Sequence, residues 1–405
     1  MSAQQSAAPG STPGSSAAAA PAPSAAMLAH ARRLLESTPL VDGHNDLAWT
    51  IRESKAAPMD VNAYDLRQRT PGHTDLARLK EGRVGVQFWS VYVPGEYKDS
   101  GYARLQLEQI DIARRMIARY PERLVLALTA DDAERAFKAG KIASFIGMEG
   151  GHVLENSLGA LRAYYALGAR YLTLTHNVTL DWADAALDTA RHNGLTPFGR
   201  EVVREMNRLG MLVDLAHVSP GVMSDALSTS KAPVIFSHSS ARALVDHPRN
   251  VPDSILARVP ANGGVVMVTF VPGFISTEVM QYEARRDARE QELKATEPDS
   301  AKREQALAQW DASNPRPRAT LAQVADHIEH VRKVAGVDHV GIGSDFDGIS
   351  NTPVGLEDVS KFPDLFAELI RRGWSDADLK KLAGQNLLRA LRQAEQVARA
   401  QARGA

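Results

Sequence analysis

Ile142-Ala143-Ser144-Phe145-Ile146-Gly147-Met148 runs directly into Glu149-Gly150-Gly151. The first seven residues form a β-rich apolar run, and the carboxylate and glycine pair that follow are a natural end for a strand. Working outward, the same theme recurs: a short apolar run, a polar cluster at its C-terminal end, then a helical stretch. Leu40-Val41-Asp42 is the first such run, 84–93 the second and 142–148 the third. The others are 171–175, 211–215, 234–237, 264–270 and 340–343. Alternating β and α elements predict a mostly parallel sheet with crossover helices. Eight repeats in 405 residues point to a closed (β/α)8, TIM-like barrel of the α/β class. A doubly wound open sheet is the competitor, and no G-x-G-x-x-G supports its dinucleotide-binding version.

Three segments fall outside this rhythm. Residues 1–26 are Ala, Ser, Pro, Gly and Gln for the most part and read as a flexible tail, because such residues bury too little surface to offset ordering entropy. A short helix is expected next, from Met27, Leu28, Ala31, Leu34 and Leu35 to Thr38-Pro39. Residues 282–318 are rich in Glu, Arg, Lys, Gln and Ala and read as an exposed helical insertion after the seventh strand, closed by Asn314-Pro315-Arg316-Pro317. A lid or dimer contact is its alternative role. Near the C-terminus, Ser375 and Asp378 read as a capping box before Leu379, Leu382, Leu387 and Leu388.

Composition excludes several classes of function. A net charge of -1 gives no global field for nucleic acid or an anionic membrane. With no cysteine there is no disulfide, thiolate metal site or cysteine nucleophile, so any transition metal must be held by His, Asp and Glu. The N-terminus has no basic or leucine-rich stretch of a signal peptide and no run is long and apolar enough to span a bilayer. The cytoplasm is the expected compartment, or the periplasm if the true start lies upstream.

The polar residues at the strand ends carry the chemistry. The first strand ends in His44-Asn45-Asp46; in extended chain i and i+2 face the same side, so His44 and Asp46 can share an ion. The third ends in Glu149, the fourth in His176-Asn177, the fifth in His217, the sixth in His238 and the eighth in Asp345-Phe346-Asp347-Gly348. In a barrel these ends converge on one face, where barrel enzymes build their active sites. Taken singly, a histidine at a strand end is more often a core residue and an aspartate more often a helix cap. The combination at successive strand ends points instead to a divalent metal site of N/O type, and its ligand count suits two ions. His44 and Asp46 would hold one, His217 and His238 the other, with Glu149 bridging ions ~3.5–4 Å apart that clamp one water or hydroxide. His327 and His330 lack the spacing of a helical zinc motif and read as surface residues. His73, His192 and His247 read as loop residues, and His152 as either a loop contact or a neighbour of the metal ligands.

These stretches together resemble the membrane (renal-type) dipeptidase family of zinc peptidases. The likeness rests on Val41-Asp42-Gly43-His44-Asn45-Asp46, Gly147-Met148-Glu149-Gly150-Gly151-His152 and Tyr171-Leu172-Thr173-Leu174-Thr175-His176-Asn177. It continues through Asp214-Leu215-Ala216-His217-Val218-Ser219, Ser237-His238-Ser239-Ser240-Ala241, Arg249-Asn250-Val251-Pro252-Asp253 and Gly343-Ser344-Asp345-Phe346-Asp347-Gly348. The resemblance implies two zinc ions per chain on His44, Asp46, Glu149, His217 and His238, in a metal-dependent dipeptidase barrel over residues 27–400. It implies that His176 polarises the scissile carbonyl, that Arg249 grips the substrate carboxylate and that Asp345 manages protons and meets the substrate amino group. The implied substrate is a dipeptide, with a D-residue tolerated at its C-terminal position, and a homodimer is left open. The lipid-anchor signal and disulfides of animal members are missing, so no membrane anchor is expected. Two other readings keep the scaffold: an amidohydrolase of another small amide or lactone, and a non-catalytic binding protein.

Overall fold

Nine short strands organise the computed structural model, which describes residues 23–97 and 101–404. They are β1 Leu40–Asn45, β2 Val84–Tyr92, β3 Leu124–Leu126, β4 Ile142–Glu149, β5 Ala169–Thr173, β6 Leu212–Asp214, β7 Val234–Phe236, β8 Val265–Val268 and β9 Val340–Ile342. Eight of them pair in parallel in the order β2-β1-β9-β8-β7-β6-β5-β4, and β4 returns to β2, so the sheet closes. The closing seam is in register from Val86↔Ala143 to Tyr92↔Glu149. Helices flank the ring, and the chain is a (β/α)8 TIM-like barrel. Closure explains why the strands are buried nearly throughout rather than alternating, since one face meets the barrel interior and the other the helices.

The eight expected strands all lie in the ring; β3 is additional. Its three residues pair with Leu124↔Ile142 to Leu126↔Ser144, on the edge of β4 that β5 takes over from Ile146 onward. Only Leu124 is buried and Val125 faces outward, so three residues left no periodicity to read.

The barrel interior is filled by large side chains against glycines. Phe88 stacks on Phe145 and Tyr171, with ring centroids 4.7 and 5.3 Å apart. Gly147 is required there: a Cβ would stand 2.0 Å from the Tyr171 ring. This close approach places the Tyr171 hydroxyl under the rim.

Among the segments outside the barrel, residues 1–22 of the expected tail lie outside the described residues, and its last two residues, Ala25 and Ala26, belong instead to the helix Ala25–Glu36. Ser24 caps that helix by accepting the Met27 N–H. The insertion after β8 is a pair of helices, Thr277–Thr296 and Ser300–Ser313. It begins earlier than composition suggested because the Ser276 side chain accepts the Val279 N–H and starts the first helix. Ser375 caps its helix through the Asp378 N–H at 3.2 Å, but the Asp378 carboxylate pairs with Arg332 rather than closing the box. Among the described residues no helix is long and apolar enough to cross a membrane.

Candidate active site

Because all eight barrel strands run parallel, their C-terminal ends form one rim. His44 lies in β1 with Asp46 just beyond it, and Glu149 is the last residue of β4. His176, His217, His238 and Asp345 follow β5, β6, β7 and β9. His217 and Asp345 turn off their strands with φ of 65° and 67°, a left-handed conformation uncommon outside glycine and concentrated at functional sites.

Glu149 stands between two groups, its side chain 5% exposed. Its Oε2 lies 3.4 Å from His44 Nε2, which is itself 3.2 Å from Asp46 Oδ2. Its Oε1 lies 3.0 Å from His217 Nε2 and 3.4 Å from His238 Nε2. His176 and Asp345 complete the cluster: His176 groups with Glu149 and His217, and Asp345 with His44 and Asp46. Burial opposes the Glu149 charge, but His44 beside it holds the carboxyl well below its usual range. Burial pushes His217 and His238 well below the ordinary imidazole value, so both are neutral. Burial likewise drives the Asp345 carboxyl well above its usual range, with Asp46 and Glu149 adding to the effect.

The ring nitrogens facing away from the cluster are each held by a partner. His44 Nδ1 meets the Tyr171 hydroxyl at 2.9 Å, and His217 Nδ1 meets Asn177 Oδ1 at 2.9 Å. His238 Nδ1 meets Ser237 Oγ at 2.8 Å. An amide oxygen can only accept, so His217 carries its proton on Nδ1 and presents a lone pair on Nε2. The Ser237 hydroxyl donates to Asp214 Oδ2 at 2.6 Å, so it accepts from His238 Nδ1, with the same result. Asp214 also accepts the Ser237 N–H at 2.7 Å. On the opposite side of the rim Asp42 accepts both the Ser344 N–H and its hydroxyl, each at 2.7 Å. Two aspartates thus cross-link neighbouring strands in the same way.

Sequence reasoning missed Tyr171, Asp214, Ser237, Asp42 and Ser344 as supports. Their signal was faint: an aspartate at the end of each strand, two residues before His44 and three before His217. His327, expected at the surface, is 1% exposed, and its Nδ1 accepts the Ala241 N–H at 3.0 Å. This contact fixes the chain leaving His238. His330 is half-buried and meets Asp253 at 2.8 Å. His152 lies in the short 3-10 helix Gly151–Leu154, its Nε2 2.9 Å from the Val93 carbonyl, and it stands outside the clusters of metal-ligating atoms.

Above the cluster opens a cavity of about 390 Å³. Arg249 lines it, buried to 1% exposure, with one N–H on His238 Nε2 at 2.8 Å and its Nε and Nη1 unpartnered. The guanidinium lies over the Phe274 ring at 5.2 Å. Trp49, Tyr92, Leu187, Val271 and Ile349 supply the apolar wall.

The profile of the family described as membrane dipeptidase, peptidase family M19, matches residues 28–404. The chain belongs to the membrane dipeptidase family. It is a metallo-dipeptidase by that membership. Solved structures agree. The probable dipeptidase PvdM from Pseudomonas aeruginosa is 26% identical over 92% of this chain and 99% of its own, with a TM-score of 0.79. The dipeptidase AC, a metallo peptidase of family M19, is 25% identical over 88% and 98%, with a TM-score of 0.73. A metallo peptidase from Rhodobacter sphaeroides, liganded with a phosphinate mimic of the dipeptide L-Ala-D-Ala, is 25% identical over 88% and 99%, at a TM-score of 0.72.

A membrane dipeptidase uses metal, and the cluster fits one. His217 Nε2, His238 Nε2 and Glu149 Oε1 are three lone-pair donors within 3.0–3.4 Å, and the two imidazole nitrogens are 3.0 Å apart with no proton of their own between them. His44 Nε2 and Asp46 Oδ1 are buried without a hydrogen-bond partner. Arg249 donates one N–H to His238 Nε2, and the remaining crowding of acceptors is costly unless a cation lies among them.

Proposed function

We propose that this membrane dipeptidase hydrolyses the peptide bond of free dipeptides, including those with a C-terminal D-residue, at a binuclear zinc site. In this reading His44 and Asp46 hold one ion, His217 and His238 the other, and Glu149 bridges. One observation carries it: the two oxygens of Glu149 face different histidines, Oε2 toward His44 and Oε1 toward His217 and His238. The R. sphaeroides enzyme bound to an L-Ala-D-Ala mimic supports the choice of substrate and the tolerance of a D-residue.

When bound, two divalent cations supply Lewis acidity and an activated water. The residues of the chain do the rest. Arg249 keeps Nε and Nη1 unpartnered on its buried guanidinium, and either one, together with the second N–H of Nη2, makes a fork that takes a carboxylate in parallel hydrogen bonds. This sets the free C-terminus of the dipeptide and orients the scissile bond. His176 is neutral, since burial lowers its basicity, and it polarises the carbonyl oxygen as charge develops there. Asp345 exchanges a proton with the departing amine, which its raised affinity for a proton favours. A carboxylate clamp at Arg249 together with Asp345 for the amino group favours dipeptides over longer chains.

The test is hydrolysis of a panel of L,L and L,D dipeptides by zinc-loaded protein, with and without chelator. Free dipeptides should be cleaved, and the same dipeptides amidated at the C-terminus should be cleaved poorly. Arg249→Ala should erase that preference by weakening the free dipeptide by about 10- to 100-fold in kcat/KM, as expected for a lost hydrogen bond to charge. Zinc-loaded protein that cleaves no dipeptide overturns the assignment. Indifference to amidation and to Arg249→Ala would favour another small amide or a lactone as substrate.

A further inference from the structure

The turn after β9 is unusually demanding. Asp345 and Asp347 both have positive φ, 67° and 65°, two non-glycine residues in the left-handed region within three positions. Asp345 is held at its N–H by the His44 carbonyl at 3.1 Å, and its own carbonyl accepts the Gly348 N–H at 3.1 Å. A Cβ on Gly348 would stand 2.4 Å from Asp46 Oδ2 and 2.5 Å from Asp345 Oδ1. Both carboxylates therefore crowd over the bare backbone at Gly348, and the path of the turn decides where the Asp345 carboxyl sits.

The connection that follows β1, the strand paired with β9, closes on this turn. The His73 N–H donates to Asp347 Oδ1 at 2.7 Å, and the Asp347 N–H donates to His73 Nδ1 at 2.9 Å. The two residues thus bond each other backbone to side chain in both directions. The Asp347 side chain is 1% exposed, and the His73 ring lies 5.5 Å from Phe346, the residue between the two aspartates. Gly72 makes the approach possible, because a Cβ there would come within 2.2 Å of Asp347 Oδ1. The Val359 N–H donates to the His73 carbonyl at 3.3 Å and anchors the loop from behind.

We infer that His73 and Asp347, with Gly72 giving the clearance, form a latch that positions the Asp345 carboxyl over the reacting bond. His73 and Gly72 are positioning residues outside the cavity lining, and Asp347, which lines the cavity, carries their hold to the Asp345 turn. The inference rests on the role of Asp345 proposed above. It has a specific chemical requirement: residue 73 must accept one hydrogen bond at the place of Nδ1.

The test compares His73→Leu, which removes the acceptor, with His73→Asn, whose Oδ1 replaces it, and Gly72→Ala, which pushes the loop off Asp347. On a dipeptide that the zinc-loaded wild type cleaves, His73→Leu and Gly72→Ala should lower kcat by about 10- to 100-fold, the usual effect of losing an outer support. KM and metal content should stay near wild type, and His73→Asn should recover most of the loss. A crystal structure of His73→Leu should show Asp345 out of the left-handed region. Wild-type kcat in His73→Leu overturns the latch, as does an Asn variant no better than Leu, or a loss that follows metal content. If His73→Leu does not fold, Gly72→Ala and His73→Asn decide the question through the same kcat comparison. A wild type that cleaves no dipeptide sinks the proposed function instead; an Asp345 turn unmoved in the variant structure sinks the latch alone.

Discussion

The rim of the barrel and the helical pair Thr277–Thr296 and Ser300–Ser313 use the same residue types to opposite ends. In the helical pair the charges are matched and wet. Arg286 meets Asp311 at 2.9 Å and Lys294 meets Glu290 at 2.7 Å, all with side chains roughly a third exposed or more. Arg316 pairs with Glu283 in the same manner. No residue of the second helix is fully buried. At the rim the charges are dry and incompletely matched: His44 Nε2, Asp46 Oδ1, His176 Nδ1 and two nitrogens of Arg249 are buried without hydrogen-bond partners. Burial of an unpaired polar group costs free energy, whereas an exposed ion pair returns little. The rim therefore keeps an expense that only a ligand can offset, and the helical pair keeps none. Position and solvent, rather than charge count, separate a working site from a solvated surface.

The sharpest way to break this contrast is Glu149→Gln. Losing the group that faces both histidine sets should cost activity by more than the ~100-fold expected for an outer support, with zinc content falling in elemental analysis. Retention of both would reduce the rim to an ordinary buried network. Asp214→Asn should act more mildly, loosening Ser237 and with it His238. A loss of about 10- to 100-fold in zinc affinity, read by competition with a chelator, is expected, and unchanged affinity would remove Asp214 from the site's support.

His327 extends the contrast away from the rim. Burial depresses its pKa from 6.5 to about 4. The folded protein therefore binds this proton less readily than the unfolded chain, so the contribution is complete above pH 6.5 and is lost as pH falls toward 4. Linkage puts the loss at up to about 3 kcal/mol across that window. His327→Asn, which keeps an acceptor for the Ala241 N–H, should flatten the acid side of a denaturation series. An unchanged slope would show that His327 does not titrate as its burial requires. The smallest effect belongs to the helical pair. Arg286→Ala should change stability by no more than about 1 kcal/mol and leave dipeptide hydrolysis intact, and a large loss of activity would make the insertion part of the site.

Much of this was readable before folding was considered. Eight β-rich runs each ending in a polar cluster announced a barrel, and His44-Asn45-Asp46 announced a ligand pair, because strand propensity and the two-residue repeat are properties of neighbouring residues. Other features were hidden for definite reasons. β3 is too short for any periodicity, and the Ser375 box failed because Arg332, 46 residues from Asp378 along the chain, competes for its carboxylate. His327 sits on a helix whose buried face depends on what packs there. Asp42 and Asp214 looked like ordinary strand-end residues until Ser344 and Ser237 were brought alongside them.

The order of apolar and polar residues by itself determined which segments became strands and which side chains stood at their ends, since both follow from short-range preferences. Closure of the barrel decided the rest: which oxygen of Glu149 meets which histidine, that Tyr171 stands behind His44 127 residues away in the chain, and that His73 reaches Asp347 across 274. Distances of about 3 Å between such remote residues are set by strand register and glycine-sized gaps, which exist only once the sheet has joined its own edge.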